Sequence, residues 1–248
     1  MSRYEKIIHK KVFNFEDICE LVGNINTAKS LIKSELEKKH IQKIKHNLYI
    51  VCDLEKQKPL GTPYEIGSKI TKDSFISYRS ALEYHAKIQS SSHTICVSSN
   101  RKFERFRFKR YSYKYIRNRS DFGISNTKGI RVTDKERTFL DCINKPELAG
   151  GDKFLIQNLE LIGKLNGNKI LKYLPNYNSK KLYTKAGFML QWLNYVFRVE
   201  EEVINYCKEK RASTIYYFNE ETKDNMFIEK WRLRVPKAIL AGGEEQYW

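Results

Sequence analysis

Between Arg101 and Arg119 the chain reads RKFERFRFKRYSYKYIRNR. Nine of these nineteen residues are Lys or Arg, one is Glu, and six are aromatic. Fixed positive charge at this density is chemistry for a polyanion. Each cation that neutralises a phosphate releases a counterion, so binding becomes steep in salt. The same composition can also build a half-buried strand, with rings inward and solvated charges outward. The phase of the stretch separates these uses. Phe106 and Phe108 fall on even positions, whereas Tyr111, Tyr113 and Tyr115 fall on odd ones. A bulge or a tight turn near Lys109-Arg110 brings them back to one face. The rings then pack into the core of the C-terminal region. Arg101, Lys102, Arg105, Arg107, Lys109, Arg110 and Lys114 are left pointing outward, and like charges so crowded call for phosphate opposite them.

A second set lies nearer the N-terminus. In NTAKSLIKSELEKKH, Ala28, Leu31, Ile32 and Leu36 form one helical apolar stripe, with Asn26 or Thr27 as the cap. The opposite face is Asn26, Thr27, Lys29, Ser30 and Lys33. Asn pairs bidentately with adenine, Thr and Ser reach bases or phosphate, and Lys reaches guanine or phosphate. A helix before it, NFEDICELVG, stops at Gly23. After it, IQKIKHNLYIV reads as a hairpin with His46-Asn47 at the turn. Helix, short turn, helix and hairpin is the order of a winged helix-turn-helix. Lys43, Lys45, His46 and Asn47 then stand on the wing beside the DNA backbone.

A third set, VTDKERTFLDCINKPELAGG (132–151), concentrates acids and bases. Asp134, Glu136 and Asp141 raise the question of a nuclease-like metal. Structural roles serve these residues better. Thr133 to Glu136 reads as a capping box with Glu136 at N3, and Arg137 and Asp141 are four apart on one helix face. The five cysteines are scattered, with no C-x-x-C, which fits reduced, buried thiols. The five histidines form no metal-ligand spacing. No phosphate-binding glycine loop, nucleophile elbow or H-E-x-x-H occurs. Neither a metal nor a cofactor is expected, and no catalytic residue is assigned.

The elements that position these sets follow from the pattern along 248 residues. At 41% hydrophobic the chain can bury a sizeable core, and its formal charge is +17. Residues 1–53 carry ten basic and seven acidic side chains, net +3, whereas 101–119 alone carry net +8. A polyanionic partner, double-stranded DNA, is the expectation. No apolar run reaches the roughly 20 residues of a spanning helix, and MSRYEKIIHKKVF has no signal-peptide core. A cytoplasmic protein with no membrane partner is expected. DLEKQKPLGTPYE (53–65) reads as a linker entering a helix capped by Thr62, with Pro63 at N1 and Glu65 at N3. The fold class expected is α+β. A winged helix-turn-helix occupies 1–55, followed by a larger mixed domain, 56–248, with strands early and helices late.

Several blocks in sequence carry a resemblance. IQKIKHNLYIV, ITKDSFISYRSALEYHA, IRVTDKERTFLDCINKPELAGG, KLYTKAGFMLQWL and WRLRVP resemble, in order and over nearly the whole chain, the AbiEi-type antitoxins. These belong to bacterial type IV toxin–antitoxin systems of abortive infection, a phage defence. The resemblance implies a transcriptional repressor that binds inverted repeats in its own operon promoter. It also implies a C-terminal domain that counteracts a nucleotidyltransferase-type toxin without stable direct binding. Under it the reading helix falls on Asn26 to Lys33 and the wing on Lys43 to Asn47. The family's wing commonly ends in Arg-Gly, where this chain has His46-Asn47. Two other readings stand beside it: a nuclease-like or RNA-modifying enzyme targeted by a winged helix, and a transcription factor with a ligand-sensing C-terminal domain.

Overall fold

The computed structural model describes residues 3–88, 92–219 and 223–240. The chain is a mixed α+β protein. It forms two compact units. One comprises Met1–Ile76, His93–Asn118 and Asn126–Val132; the other comprises Ser77–Ser92, Arg119–Ser125 and Thr133–Trp248.

The first unit begins with α1 (Arg3–Ile8), β1 (Val12–Asn14), α2 (Phe15–Val22), α3 (Ile25–Glu37), β2 (Ile41–Lys45) and β3 (Leu48–Val51). Helix α2 starts at a capping box between Asn14 and Asp17 and ends at Gly23, where φ is 70°. That is a left-handed C-terminus of the kind glycine favours. The cap of α3 is Asn24, whose Oδ1 accepts from the amides of Asn26 and Thr27 at 2.8 and 3.0 Å. Neither Asn26 nor Thr27 is the cap, because Asn24 already has the extended backbone an N-cap needs. β1, β3 and β2 make an antiparallel sheet in that order. Its apolar side meets Ile18, Ala28, Leu31 and Ile32, all buried.

The segment read as a linker is folded against this sheet. Leu60 donates to Val51 O, and Cys52 bridges to Pro59. A Cβ on Gly61 would stand 2.6 Å from Val12 Cγ2. The expected boundary at 55/56 therefore coincides with no edge of the two units. The helix that follows, α4 (Pro63–Lys69), has the cap expected of it: Thr62, Pro63 at N1 and Glu65 closing the box.

Next come β4 (Phe75–Ile76), β5 (Thr94–Ser99), β6 (Phe106–Phe108), β7 (Tyr111–Arg117), β8 (Ile124–Thr127) and β9 (Ile130–Thr133), of which β8 and β9 fall only in part within the first unit. They lie in one six-stranded sheet in the order β6, β7, β5, β4, β9, β8. β5 and β7 run parallel over six residue pairs, while β6 and β7 form a hairpin. Asp73 anchors the corner from which the basic stretch leaves β5. Its carboxylate accepts from Asn100 N, Ser99 Oγ and Thr71 Oγ1. Desolvation pushes its pKa up, but these hydrogen bonds outweigh it and hold the carboxyl below its usual range.

The second unit is largely helical. It contains α5 (Tyr78–Ala86), α6 (Lys135–Asn144), α7 (Pro146–Ala149), α8 (Asp152–Leu159), α9 (Gly167–Tyr173), α10 (Lys180–Trp192), α11 (Asn194–Phe197), α12 (Glu201–Lys210) and α13 (Lys237–Leu240). Three short strands, β10 (Tyr216–Tyr217), β11 (Asn225–Ile228) and β12 (Leu233–Pro236), form a small sheet with β12 central. Helix α10 is buried along most of its length. Gly187 lets the Trp231 ring lie on that helix, since any Cβ there would overlap the ring.

Lys185 of α10 is a buried cation without a carboxylate partner among the described residues. Its Nζ lies 5.3 Å above the Phe218 ring, with Ile143 O at 3.5 Å as an acceptor. Burial, with Lys181 nearby, pushes its pKa down to about 8. Folding thus favours the neutral amine, whereas the unfolded chain holds that proton up to about pH 10.4. Stability should rise between about pH 8 and 10, where the unfolded state binds more protons. Chemical denaturation across that range checks this. Lys185→Met should remove most of the rise; an identical pH slope in the variant contradicts it.

Candidate nucleic-acid interface

The face of α3 expected to read bases is the exposed one. Asn26, Thr27, Lys29, Ser30 and Lys33 are all exposed, and Ala28, Leu31 and Ile32 are buried beneath them. The apolar stripe differs at its end. Leu36 is half-buried, and Glu35 takes the inner position, its carboxylate 2.8 Å from His40 Nδ1 and 3.5 Å from Lys38 Nζ. A charged residue facing inward is invisible to hydrophobic periodicity unless its partners are known. Lys29 and Lys33 border a cleft of about 280 Å³ floored by Phe15, Ile32, Leu36 and Tyr49.

The residues expected on a wing divide. Lys43 and His46 are exposed. Asn47 has φ 59°, the left-handed conformation that makes the two-residue turn. Its side chain is fully employed inside the unit. Oδ1 accepts from Phe15 N at 2.9 Å, and Nδ2 donates to the Glu16 carboxylate at 2.9 and 3.1 Å. Asn47 therefore fixes the turn to the start of α2 rather than offering its amide outward. β2 also carries an irregularity between Lys43 and Lys45, so Lys45 stands opposite Leu48. That displacement brings Lys45 Nζ over two rings, 5.6 Å from the centre of Phe103 and 5.1 Å from that of Phe106. The β2–β3 hairpin is thereby joined to the basic stretch. No pattern in residues 41–51 alone signals this joint, because its partners lie some sixty positions away.

The basic stretch folds as its phase suggests. Lys109 and Arg110 make the turn, with φ 52° at Lys109, and the pairs are Phe106 with Tyr113, Arg107 with Ser112 and Phe108 with Tyr111. Phe106 and Tyr113 stack with centres 4.8 Å apart. Phe103 meets Phe106 and Tyr115 edge-on. Phe103 and Tyr113 are buried, and the other four aromatics are half-buried. These rings pack in the first unit, with the elements of residues 1–76, rather than in the helical core of the C-terminal region. The physical reason is strand pairing. β7 is bound along its length to β5 and β6, and those strands belong to that unit.

Arg101, Lys102, Arg105, Arg107, Lys109, Arg110 and Lys114 are all exposed. None has a carboxylate partner among the described residues. Three are steered by neighbours: Arg105 Nε donates to Ser112 Oγ at 2.8 Å, Arg110 lies over Tyr111, and Lys109 lies over Phe108. The hairpin and the segment leading into it thus present these seven exposed cations, with Glu104 the one acid in the stretch and no ion pair to any of them among the described residues.

The acidic and basic block of α6 does structural work. Asp134, not Thr133, is the N-cap, accepting from Arg137 N at 2.9 Å. Thr133 ends β9, and its hydroxyl meets Thr138 Oγ1. Glu136 consequently sits one position earlier than the expected capping box required. Its Oε1 accepts from Asn166 N at 2.8 Å, and Lys169 lies near Asp134 and Glu136 at 3.0 and 3.5 Å. Arg137 and Asp141 do pair across one turn, at 3.3 Å, and Tyr177 donates to Asp141 at 2.7 Å. Burial pushes the Asp141 carboxyl up, while Arg137 and Tyr177 act against it. Each acid is thus committed to a cap, an amide or a buried partner. No cluster of metal-ligating side chains occurs among the described residues. Nor is any helix among them long and apolar enough to cross a membrane. All five cysteines are free thiols, four of them buried.

No protein-family model matches the chain, and no curated protein does. Among solved structures the chain is similar to the crystal structure of the RV2827C protein from Mycobacterium tuberculosis. The TM-score is 0.60 and the identity 9%, over 96% of this chain and 92% of that one. At that identity the likeness is one of fold.

Proposed function

We propose that residues 1–55 form a winged helix-turn-helix and that the protein is a DNA-binding repressor of the AbiEi antitoxin type. It binds inverted repeats in its own operon promoter. Helix α3 reads base edges in the major groove, β2 and β3 form the wing, and the β6–β7 hairpin grips phosphate without regard to sequence. The antitoxin role, directed at a nucleotidyltransferase-type toxin, rests on the sequence resemblance.

The observation that carries the DNA reading is the joint at Lys45. It places the proposed wing and a hairpin of unpaired cations in the same compact unit as the exposed face of α3. Lys45 contributes by positioning, since its ammonium already lies over two rings. Such cation–ring pairs contribute about 0.5–2 kcal/mol each. Direct wing contacts to phosphate then fall to Lys43 and His46. A plain basic face without a partner would leave seven cations repelling one another against the single carboxylate of Glu104, and DNA phosphate would offset that repulsion.

The two grips should respond differently. Replacing Lys29 and Lys33 together by Ala should weaken binding to a promoter fragment at least about tenfold, since good base contacts contribute about 1–3 kcal/mol each. A gel-shift titration measures it, and unchanged affinity would remove α3 from the interface. Reversing Arg105, Arg107 and Lys109 to Glu should weaken operator and unrelated DNA alike. The slope of log affinity against log salt should flatten by about 0.9 for every phosphate that is no longer neutralised. A wild-type slope returns the hairpin to an ordinary solvated face.

A further inference from the structure

We infer a second anion site in the first unit, built for a phosphate group, at a cleft that uses none of the residues assigned to the DNA interface above. The cleft has a volume of about 400 Å³ and is lined by His9, Lys10, Lys11, Glu65, Lys69 and Lys128 with the Val12 and Gly129 backbones beside them. Three separate elements bring the lysines together. Lys10 and Lys11 stand in the turn between α1 and β1, where Lys11 has φ 48° and its carbonyl accepts from Val51 N. Lys69 is in the last turn of α4, four residues after Glu65 and so on the same helix face. Lys128 is in the two-residue turn between β8 and β9, where φ is 52° at Lys128 and 81° at Gly129. Positive φ at both central positions is the tight hairpin geometry that glycine makes accessible.

Charge in the cleft is not balanced. Among the described residues two carboxylates reach these lysines, Asp17 and Glu65. Each is already engaged at a helix N-terminus: Asp17 Oδ2 accepts from Asn14 N, and Glu65 Oε2 accepts from Thr62 N. The two carboxylates are shared among three lysines, and Lys69 donates to both Asp17 oxygens at 3.3 Å. Asp17 Oδ1 lies 3.9 Å from Lys10 and 3.3 Å from Lys69, and Glu65 Oε1 lies 3.8 Å from Lys11. Lys128 has no carboxylate partner among the described residues. Four ammonium groups against two carboxylates leave a surplus of two positive charges. The Lys10 and Lys11 pairs are long, at 3.9 and 3.8 Å, and such pairs on part-exposed side chains are weak and exchange readily for a stronger acceptor. Each ammonium carries three donors, and the groups approach from three directions.

A dianion with tetrahedral acceptors fits this surplus. A phosphate monoester carries about −1.5 to −2 near neutral pH and offers three terminal oxygens. The cleft exceeds a lone phosphate and lies within the roughly 300–1,000 Å³ range of small-ligand sites, leaving room for the group that bears the phosphate. The phosphate has two available sources. One is the backbone of the DNA proposed above, and that arm rests on that reading. The other is a free phosphorylated small molecule, which does not.

The test uses the full chain, with Lys128→Glu as the main variant because Lys128 supports no helix cap. Lys69→Gln is the second variant should the turn fail to form. Pyrophosphate is titrated by calorimetry at low salt, and promoter DNA is titrated separately. Pyrophosphate that binds the wild type and is weakened at least about fivefold by either variant supports a free ligand. No pyrophosphate binding, with DNA affinity reduced and the salt slope flattened by about 0.9, supports a backbone phosphate. If both titrations are unchanged in folded variants, the site is overturned, as it is if pyrophosphate binds both variants like the wild type. A wild type that binds no DNA removes the DNA reading, and the pyrophosphate titration then decides the cleft alone.

Discussion

The ammonium of Lys45, held over the rings of Phe103 and Phe106, is the interaction on which the proposed interface depends. It lies between segments that are far apart in sequence and carry different kinds of chemistry. On one side is a small three-stranded sheet with α3 packed on it. On the other is a hairpin whose inner face is aromatic and whose outer face is cationic. A cation over rings satisfies both sides. It neutralises nothing on the hairpin, so the outer charges stay available, yet it fixes where they stand. A carboxylate in the same place would have tied the segments together only by cancelling the charge that gives the hairpin its use.

The rest of the first unit can be understood as holding that joint in place. Asn47 closes the β2–β3 turn and fastens it to α2 through Phe15 and Glu16. The irregularity in β2 turns Lys45 toward the rings. Asp73 ties down the Ser99 to Arg101 corner where the basic stretch begins, and the parallel pairing of β5 with β7 carries it back. The polar groups at the start of α6 in the second unit serve a different end. Asp134, Glu136, Arg137 and Asp141 hold helix ends and helix pairs together and leave none of these acids free in a constellation suited to a metal.

Much of this is legible in the sequence, and the omissions have physical causes. The exposed face of α3 follows from apolar spacing, because a helix that buries Ala28, Leu31 and Ile32 must present Lys29, Ser30 and Lys33. The turn at Lys109-Arg110 follows from the change of aromatic parity. Local chemistry also places Thr62, Pro63 and Glu65 at the start of α4. What periodicity does not carry is which distant segments meet. The rings of the basic stretch pack with the N-terminal elements, and the segment 53–61 packs on the first sheet instead of spacing two domains. Both depend on long-range pairing. The caps at Asn24 and Asp134 are displaced from the expected residues because several capping residues stand in succession there, and backbone conformation selects among them. Glu35 escapes the apolar pattern because its inward position is supported by His40, a partner that the sequence places beyond the helix end.

The central claim is that α3 and the β6–β7 hairpin act on one DNA molecule as one interface. Hydroxyl-radical footprinting of the full chain on its promoter tests it most directly. The account predicts a protected tract with a core and flanks. The Glu variants at Arg105, Arg107 and Lys109 should lose protection in the flanks while the core stays protected. A footprint in those variants identical to the wild type, at matched occupancy, would contradict it.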